Sequence, residues 1–228
     1  MTSALAGPDV KARATSAGVA PCAPTPGSRS TACGIARRAS PTARAYAAAF
    51  LEASQGAPPL VDALTVNPYL GRDSLDPFFA ACRREGAGLF ILVRTSNVGA
   101  TDLQDAVLSD GRPLWRHVAG LVDTWGEDLV GARGLSSIGA VIGATAPRIV
   151  GEARREMPRA IILLPGVGAQ GAGPGDVARA FTSGPSSALV NASRSVIYAY
   201  RSSEVDWREA AGAEAARLAR EVWRAAGW

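Results

Sequence analysis

The chain has 228 residues, 47% apolar and 19% charged, which suffices for one domain with a sizeable core and excludes a disordered chain. Its net charge of +4 is lopsided, because residues 1–50 carry six basic side chains (Lys11, Arg13, Arg29, Arg37, Arg38, Arg44) against Asp9 alone. The remainder is close to neutral, and no aromatics are interleaved in the basic start to stack bases, so nucleic-acid binding is not expected. The longest apolar runs, around Leu89 and Ile161, fall far short of the roughly 18–20 residues of a membrane span. A cytoplasmic protein is the expectation. Cys22, Cys33 and Cys82 are odd in number and lack CxxC spacing, and His117 is the single histidine. That inventory argues against a disulfide framework, a metal site and a Ser-His-Asp hydrolase.

Residues 1–41 scatter Pro8, Pro21, Pro24, Pro26 and Pro41 among Ser, Ala, Gly and Arg with no helical or strand period. Such a segment buries too little apolar surface to offset its ordering entropy, and a disordered basic tail is expected there. Its prolines break the amphipathic helix of a transit peptide, and it holds no apolar signal core. From Thr42 the chain alternates, and residues 42–228 are expected to form one domain. The pattern predicts a helix over 42–51, a strand over 63–67, and a helix capped by Asp73 or Ser74 and closed by Gly86. Gly88–Val93 is a continuous apolar run, as expected for a parallel strand buried on both faces. A helix over 113–126 comes next, then a strand over 138–143, a helix over 147–156 and a strand over 160–164. A short helix over 176–181 and a strand over 188–191 lead to a closing helix over 206–226. Its predicted apolar stripe is Trp207, Ala211, Ala215, Leu218, Val222 and Trp223. Strands alternating with helices indicate an α/β parallel architecture, open or barrel.

Four segments carry chemistry, each just past a predicted strand. Gly166, Gly168 and Gly171 match the spacing of the dinucleotide fingerprint, but the match is superficial. Ala172, Gly173, Pro174 and Gly175 delay the helix, and no acid ends the next strand to hold a ribose. A glycine loop that lets backbone N–H groups approach a phosphate, with Gln170 adding an amide, fits better than a dinucleotide site; an ordinary glycine-rich turn is the plain alternative. Arg194, after the last strand, supplies a charge-assisted contact to the same anion, where a solvated surface arginine is the plain alternative. Thr95-Ser96-Asn97 and Thr65-Val66-Asn67-Pro68-Tyr69 stand at the ends of two further strands, the position of ligands in α/β folds.

Taken in order, the segments 62–71, 92–97, 138–145, 163–171 and 193–199 resemble strands four to eight of the orotidine 5'-phosphate decarboxylase family, in its longer bacterial branch. The resemblance covers about residues 42–200. It implies a TIM (β/α)-barrel, here incomplete, in a homodimer that makes UMP and CO2 from orotidine monophosphate without cofactor or metal. On this pattern Gln170 and Arg194, with Gly168 and Gly171, hold the 5'-phosphate. Ser96 faces the pyrimidine, Asn97 beside it counts among the substrate-binding residues, and Thr65 lies on the ribose side.

The family's catalytic motif, Asp-x-Lys-x-x-Asp, falls on Cys33, Ile35 and Arg38 when aligned back from Thr42, so no catalytic residue is intact. Lys11 is the only lysine in the chain. Arginine is a poor substitute, since its high pKa prevents ready proton donation. A full barrel takes roughly 250 residues, about 30 per unit, and three further units do not fit in residues 1–41. That segment is therefore expected to lie outside the barrel, as from a shifted reading frame, a misplaced start or a decayed gene. Two functions remain in view: a decarboxylase with impaired activity, and a non-catalytic protein that binds UMP or phosphate or serves as an interaction subunit.

Overall fold

The computed structural model describes residues 40–228 except Gln55 and Ser203. Of the tail predicted over residues 1–41 only Ser40 and Pro41 are described, Pro41 as the first residue of a helix and not as tail; Lys11, Cys22, Cys33, Ile35 and Arg38 lie outside the described residues. In order the elements are α1 (Pro41–Leu51), β1 (Ala63–Val66), α2 (Arg72–Glu85), β2 (Gly88–Arg94), α3 (Ala100–Leu103) and α4 (Leu114–Trp125). Next come β3 (Ser136–Ile142), α5 (Pro147–Glu156), β4 (Ala160–Pro165), α6 (Pro174–Val177), β5 (Ala188–Asn191), α7 (Ser193–Ile197) and α8 (Trp207–Ala226).

All five strands join one sheet in chain order, β1-β2-β3-β4-β5, and every pairing is parallel. Each strand therefore ends on the same rim, and the loops after the strands gather there. Among the described residues β1 and β5 each have one strand neighbour and one open edge, so the sheet does not close.

One face of the sheet is covered by helices. Leu89, Ile91 and Val93 of β2, Ile138 and Ala140 of β3, and Ile162 and Leu164 of β4 are buried on that side. They pack with Phe79 of α2, Val122 and Trp125 of α4, and Val150 and Ala153 of α5. The alternating positions Phe90, Leu92, Ile161 and Leu163 are only half-buried. The strand over 88–93 was expected to be buried on both faces; the opposite face lacks the cover that a closed barrel would give it.

Several boundaries differ from expectation for local reasons. Helix α2 begins at Arg72, not behind an Asp73 or Ser74 cap: Gly71 takes a φ of 87° that starts the helix, and Ser74 Oγ donates back to the Gly71 carbonyl at 2.7 Å. Helix α1 begins at Pro41, whose fixed φ suits a first helical position. The short helix expected over 176–181 is a turn of α-helix, Pro174–Val177, followed by 3-10 backbone over Ala178–Ser183. On α8 the buried positions are Ala210, Leu218 and Val222. Trp207 is 54% exposed, with the Arg208 guanidinium over its ring, and does not belong to the stripe. Trp223 stays at the edge of the core, its ring 5.7 Å from that of Phe181.

Arg154 is the one charged side chain buried among the described residues, and it has no acidic partner there. Its guanidinium instead donates to five backbone carbonyls: Ser187 (2.7 Å), Met157 (2.8 Å), Ala160 (2.8 Å), Ala180 (2.9 Å) and Pro158 (3.2 Å). Burial pushes its pKa down to about 10, which leaves it charged at neutral pH. These bonds tie the end of α5 to the starts of β4 and β5. Arg154→Met would remove that donor from all five carbonyls, but those of Met157, Ala180 and Ser187 keep the Ala160 N–H, the Ser187 hydroxyl and the Ile162 N–H, so the cost of about 1–3 kcal/mol per unsatisfied group falls on the carbonyls of Pro158 and Ala160. Urea unfolding should show a loss of about 2 kcal/mol; no measurable loss would mean that these two carbonyls are satisfied otherwise.

Cys82 on α2 is buried, and desolvation raises its thiol pKa from 9.0 to about 11. The neutral thiol is thus the form the fold prefers. Its contribution is complete below pH 9 and is lost as pH rises towards 11. Alkylation of Cys82 by iodoacetamide at about pH 8 should be slow in the native protein and accelerate only with denaturant. Rapid labelling without unfolding would contradict this burial.

Candidate functional site

The loops after β4 and β5 enclose a concavity of about 210 Å³ on the carboxyl rim. Gly166, Val167 and Gln170 come from the first loop, and Asn191, Ser193 and Arg194 from the second. The adjacency arises from the pairing of β4 with β5, in which Pro165 stands beside Asn191.

Glycine makes this approach possible. Gly166, Gly168 and Gly171 take φ values of 105°, 79° and 93°, left-handed backbone that side chains disfavour. Gly168 and Ala172 close the loop, with Gly168 N–H donating to the Ala172 carbonyl at 2.8 Å. A Cβ on Gly168 would sit 2.7 Å from Ser195 Oγ, so the two loops touch where that glycine lies. A Cβ on Gly166 would lie 2.9 Å from Gln170 Oε1 and 3.5 Å from both Ser96 Cβ and Thr145 Cγ2. The ends of β2, β3 and β4 thus converge on Gly166.

Gln170 and Arg194 line the same concavity. The Arg194 side chain is exposed and makes no ion pair among the described residues, which leaves its five donors available to an anion. Ser96 stands one step deeper. A Cβ on Gly143 would fall 2.7 to 2.9 Å from Ser96 N, Cα and Cβ, so Gly143 is the space that Ser96 occupies. The neighbouring Asn97 is exposed and accepts from Thr95 Oγ1 at 2.6 Å, a bond within its own loop. Thr65 pairs in register with Phe90 and shares the uncovered face of the sheet, away from the concavity. Gly171 shapes the glycine loop without lining the concavity. The structure therefore brings Gln170 and Arg194 together on the concavity, with Ser96 against Gly166 and Gly168 against Ser195 just behind its lining, while Thr65, Asn97 and Gly171 neither line it nor make such a contact.

Residues to which sequence patterns assigned no role complete the arrangement. Gly143 acts by lacking a side chain, and Ser195 meets Gly168. Arg94, Gln104 and Asp105 hold the backbone of the Ser96 loop. None of these bore a local signal of that role, whereas Gly166 was visible as part of the glycine motif. Among the described residues no group of His, Cys, Asp and Glu could hold a metal ion. No described helix is long and apolar enough to cross a membrane.

The family model of orotidine 5'-phosphate decarboxylase / HUMPS matches residues 42–209. The chain belongs to this family. A relative from Rhodopirellula baltica, an orotidine 5'-phosphate decarboxylase, is 45% identical over 165 residues, covering 72% of this chain and 54% of the relative. One from Halorubrum lacusprofundi is 44% identical over 194 residues, 79% of this chain and 63% of its own length. The chain thus spans between about half and two thirds of these curated relatives. Among solved structures, a Streptomyces avermitilis protein described as an orotidine 5'-phosphate decarboxylase has a TM-score of 0.67 and 36% identity, with 83% of this chain and 62% of that one covered. The Leishmania donovani OMP decarboxylase has a TM-score of 0.60 and 28% identity, with 81% and 65% covered. The five-stranded sheet is accordingly a partial (β/α)-barrel of the decarboxylase fold, as its motifs implied.

Gly168→Ala should strain the loop and press on Ser195, lowering the melting temperature by several degrees. Thermal unfolding checks this, and an unchanged melting temperature would mean that the loop accommodates a side chain there at no cost.

Proposed function

We propose that this chain binds a pyrimidine nucleoside 5'-monophosphate of the orotidine monophosphate and UMP class, and that its decarboxylation of orotidine monophosphate is severely impaired. The observation that carries the binding half is the meeting of Gln170 and Arg194 in one concavity with a glycine loop between them. A phosphate there accepts from the Gln170 amide and the Arg194 guanidinium, the last a charge-assisted contact, while the Gly168 and Gly171 N–H groups are engaged within the loop by the Ala172 and Gly168 carbonyls. Ser96, packed into the space of Gly143, stands on the base side. Gly171 shapes the loop, while Thr65 on the ribose side and Asn97 beside Ser96 belong to the site on the family resemblance alone, both lying outside the concavity.

The impairment rests on chemistry. Breaking the bond from the pyrimidine ring to the carboxylate leaves an electron pair on the ring carbon, which a nearby ammonium stabilises and then protonates. Residues 40–228 contain no lysine, and Lys11 is the only one in the chain. Their basic side chains are arginines and His117, and an arginine stays protonated too tightly to serve as the acid. This lack favours a second reading, a nucleotide-binding or interaction subunit without catalysis of its own. No cofactor or metal enters either scheme. A homodimer, the family's usual assembly, fits both readings.

Two measurements test the proposal. Loss of orotidine monophosphate, followed spectroscopically with the full chain, should run far below the roughly 1–10³ per second of ordinary enzymes; turnover in that range refutes the impairment. UMP binding should weaken about tenfold to a hundredfold in Arg194→Ala, as for a charged hydrogen bond of about 1.5–3 kcal/mol. An Arg194→Ala protein that binds UMP as tightly as the parent chain refutes the phosphate assignment.

A further inference from the structure

Thr95, the residue before Ser96, has every backbone and side-chain polar group engaged. Its N–H donates to Gln104 Oε1 at 2.8 Å, and its hydroxyl accepts from Gln104 Nε2 at 3.0 Å. The same hydroxyl donates to Asn97 Oδ1 at 2.6 Å. Its carbonyl accepts from Arg94 Nη1. Arg94 is itself held by a two-pronged ion pair, with Nε 3.1 Å from Asp105 Oδ1 and Nη2 3.0 Å from Asp105 Oδ2. The Arg94 side chain is only 12% exposed, so solvent screens this pair less than a surface bridge. Gln104 is anchored in turn, since its carbonyl accepts from Trp115 N–H at 2.8 Å at the start of α4.

On the far side of the loop, Gly143 N–H donates to the Arg94 carbonyl at 2.7 Å, and its missing side chain gives Ser96 its place. Ser96 is therefore fixed from both directions, while its own hydroxyl makes no hydrogen bond among the described residues. A loop so heavily bonded at one residue, next to a serine whose hydroxyl is left unengaged, presents that hydroxyl to something else.

We propose that Gln104 and the Arg94–Asp105 pair are positioning residues that hold Ser96 towards the base of a bound nucleotide, and so set selectivity for a ligand with a base over the same phosphate without one. The inference rests on the nucleotide site proposed above. The phosphate grip belongs to the loops after β4 and β5, while this clamp belongs to the loop after β2. Damage to the clamp should therefore separate the two functions.

The test is a titration of the full chain with UMP and with ribose 5-phosphate, which keeps the phosphate and sugar and lacks the base. Gln104→Ala is expected to reduce the ratio of UMP affinity to ribose 5-phosphate affinity roughly tenfold, with ribose 5-phosphate binding itself within about twofold. Gln104→Glu, whose carboxylate still accepts from the Thr95 N–H, should recover most of the ratio. Asp105→Asn should lower it less, and it carries the test if Gln104→Ala does not fold. An unchanged ratio in Gln104→Ala and Asp105→Asn overturns the inference and leaves the nucleotide site standing. Equal loss of both ligands overturns it too, because that is what a merely structural role produces. If the parent chain prefers neither ligand, the clamp has no base to serve and the inference fails while the phosphate site survives. If the parent chain binds neither, the nucleotide site and the clamp fail together.

Discussion

The guanidinium of Arg154 organises the half of the sheet whose rim carries the concavity lined by Gln170 and Arg194. Its five carbonyl acceptors belong to the end of α5, the start of β4, the 3-10 segment and the residue before β5. A carboxylate partner would have neutralised the charge at one point. Carbonyls spread over four stretches of chain distribute it, and a shift of any one stretch takes at least one acceptor from the guanidinium. The amino ends of β4 and β5 are thereby held at the bottom of the sheet, and the parallel ladder transmits that spacing to the top. There the loops bearing Gln170 and Arg194 emerge a strand's width apart.

At the upper rim, close approach replaces charge as the governing constraint. Gly139 lets β3 sit against β4, since a Cβ there would run into the Ile161 carbonyl. Gly143 admits the Ser96 backbone, Gly166 admits Gln170, and Gly168 admits Ser195. Glycine gives up conformational entropy at each of these positions, and the return is a set of loops that meet without side chains between them. Polar bonding then fixes what the glycines have allowed to approach, as the bonds around Thr95 do for Ser96.

The described domain is finished on one side only. Helices cover Leu89, Ile91, Ile138 and Ile162, whereas Phe90, Leu92, Ile161 and Leu163 remain half-buried, and both outer strands keep open edges. The chemistry is similarly divided. Groups suited to binding an anion and orienting a base gather on the rim, and no lysine ammonium stands among residues 40–228.

The one-dimensional pattern already carried the succession of strands and helices, the parallel class, the glycine loop and the arginine after the last strand. Each of these is local: a run of apolar residues such as 88–93, a glycine or a charge just past a strand expresses its preference within a few neighbours. The lack of lysine beyond Lys11 is a matter of composition and needed no fold at all. Only tertiary structure decided that Thr65 and Asn97 stand apart from the concavity, that Trp207 leaves the apolar stripe of α8, and that Arg154 is buried without an acid. It also decided that Gln104 reaches back to Thr95 and Asp105 to Arg94, and that Gly143 makes room for Ser96. Those facts depend on segments brought together by strand pairing and loop closure, and no spacing along the chain encodes which of them will touch.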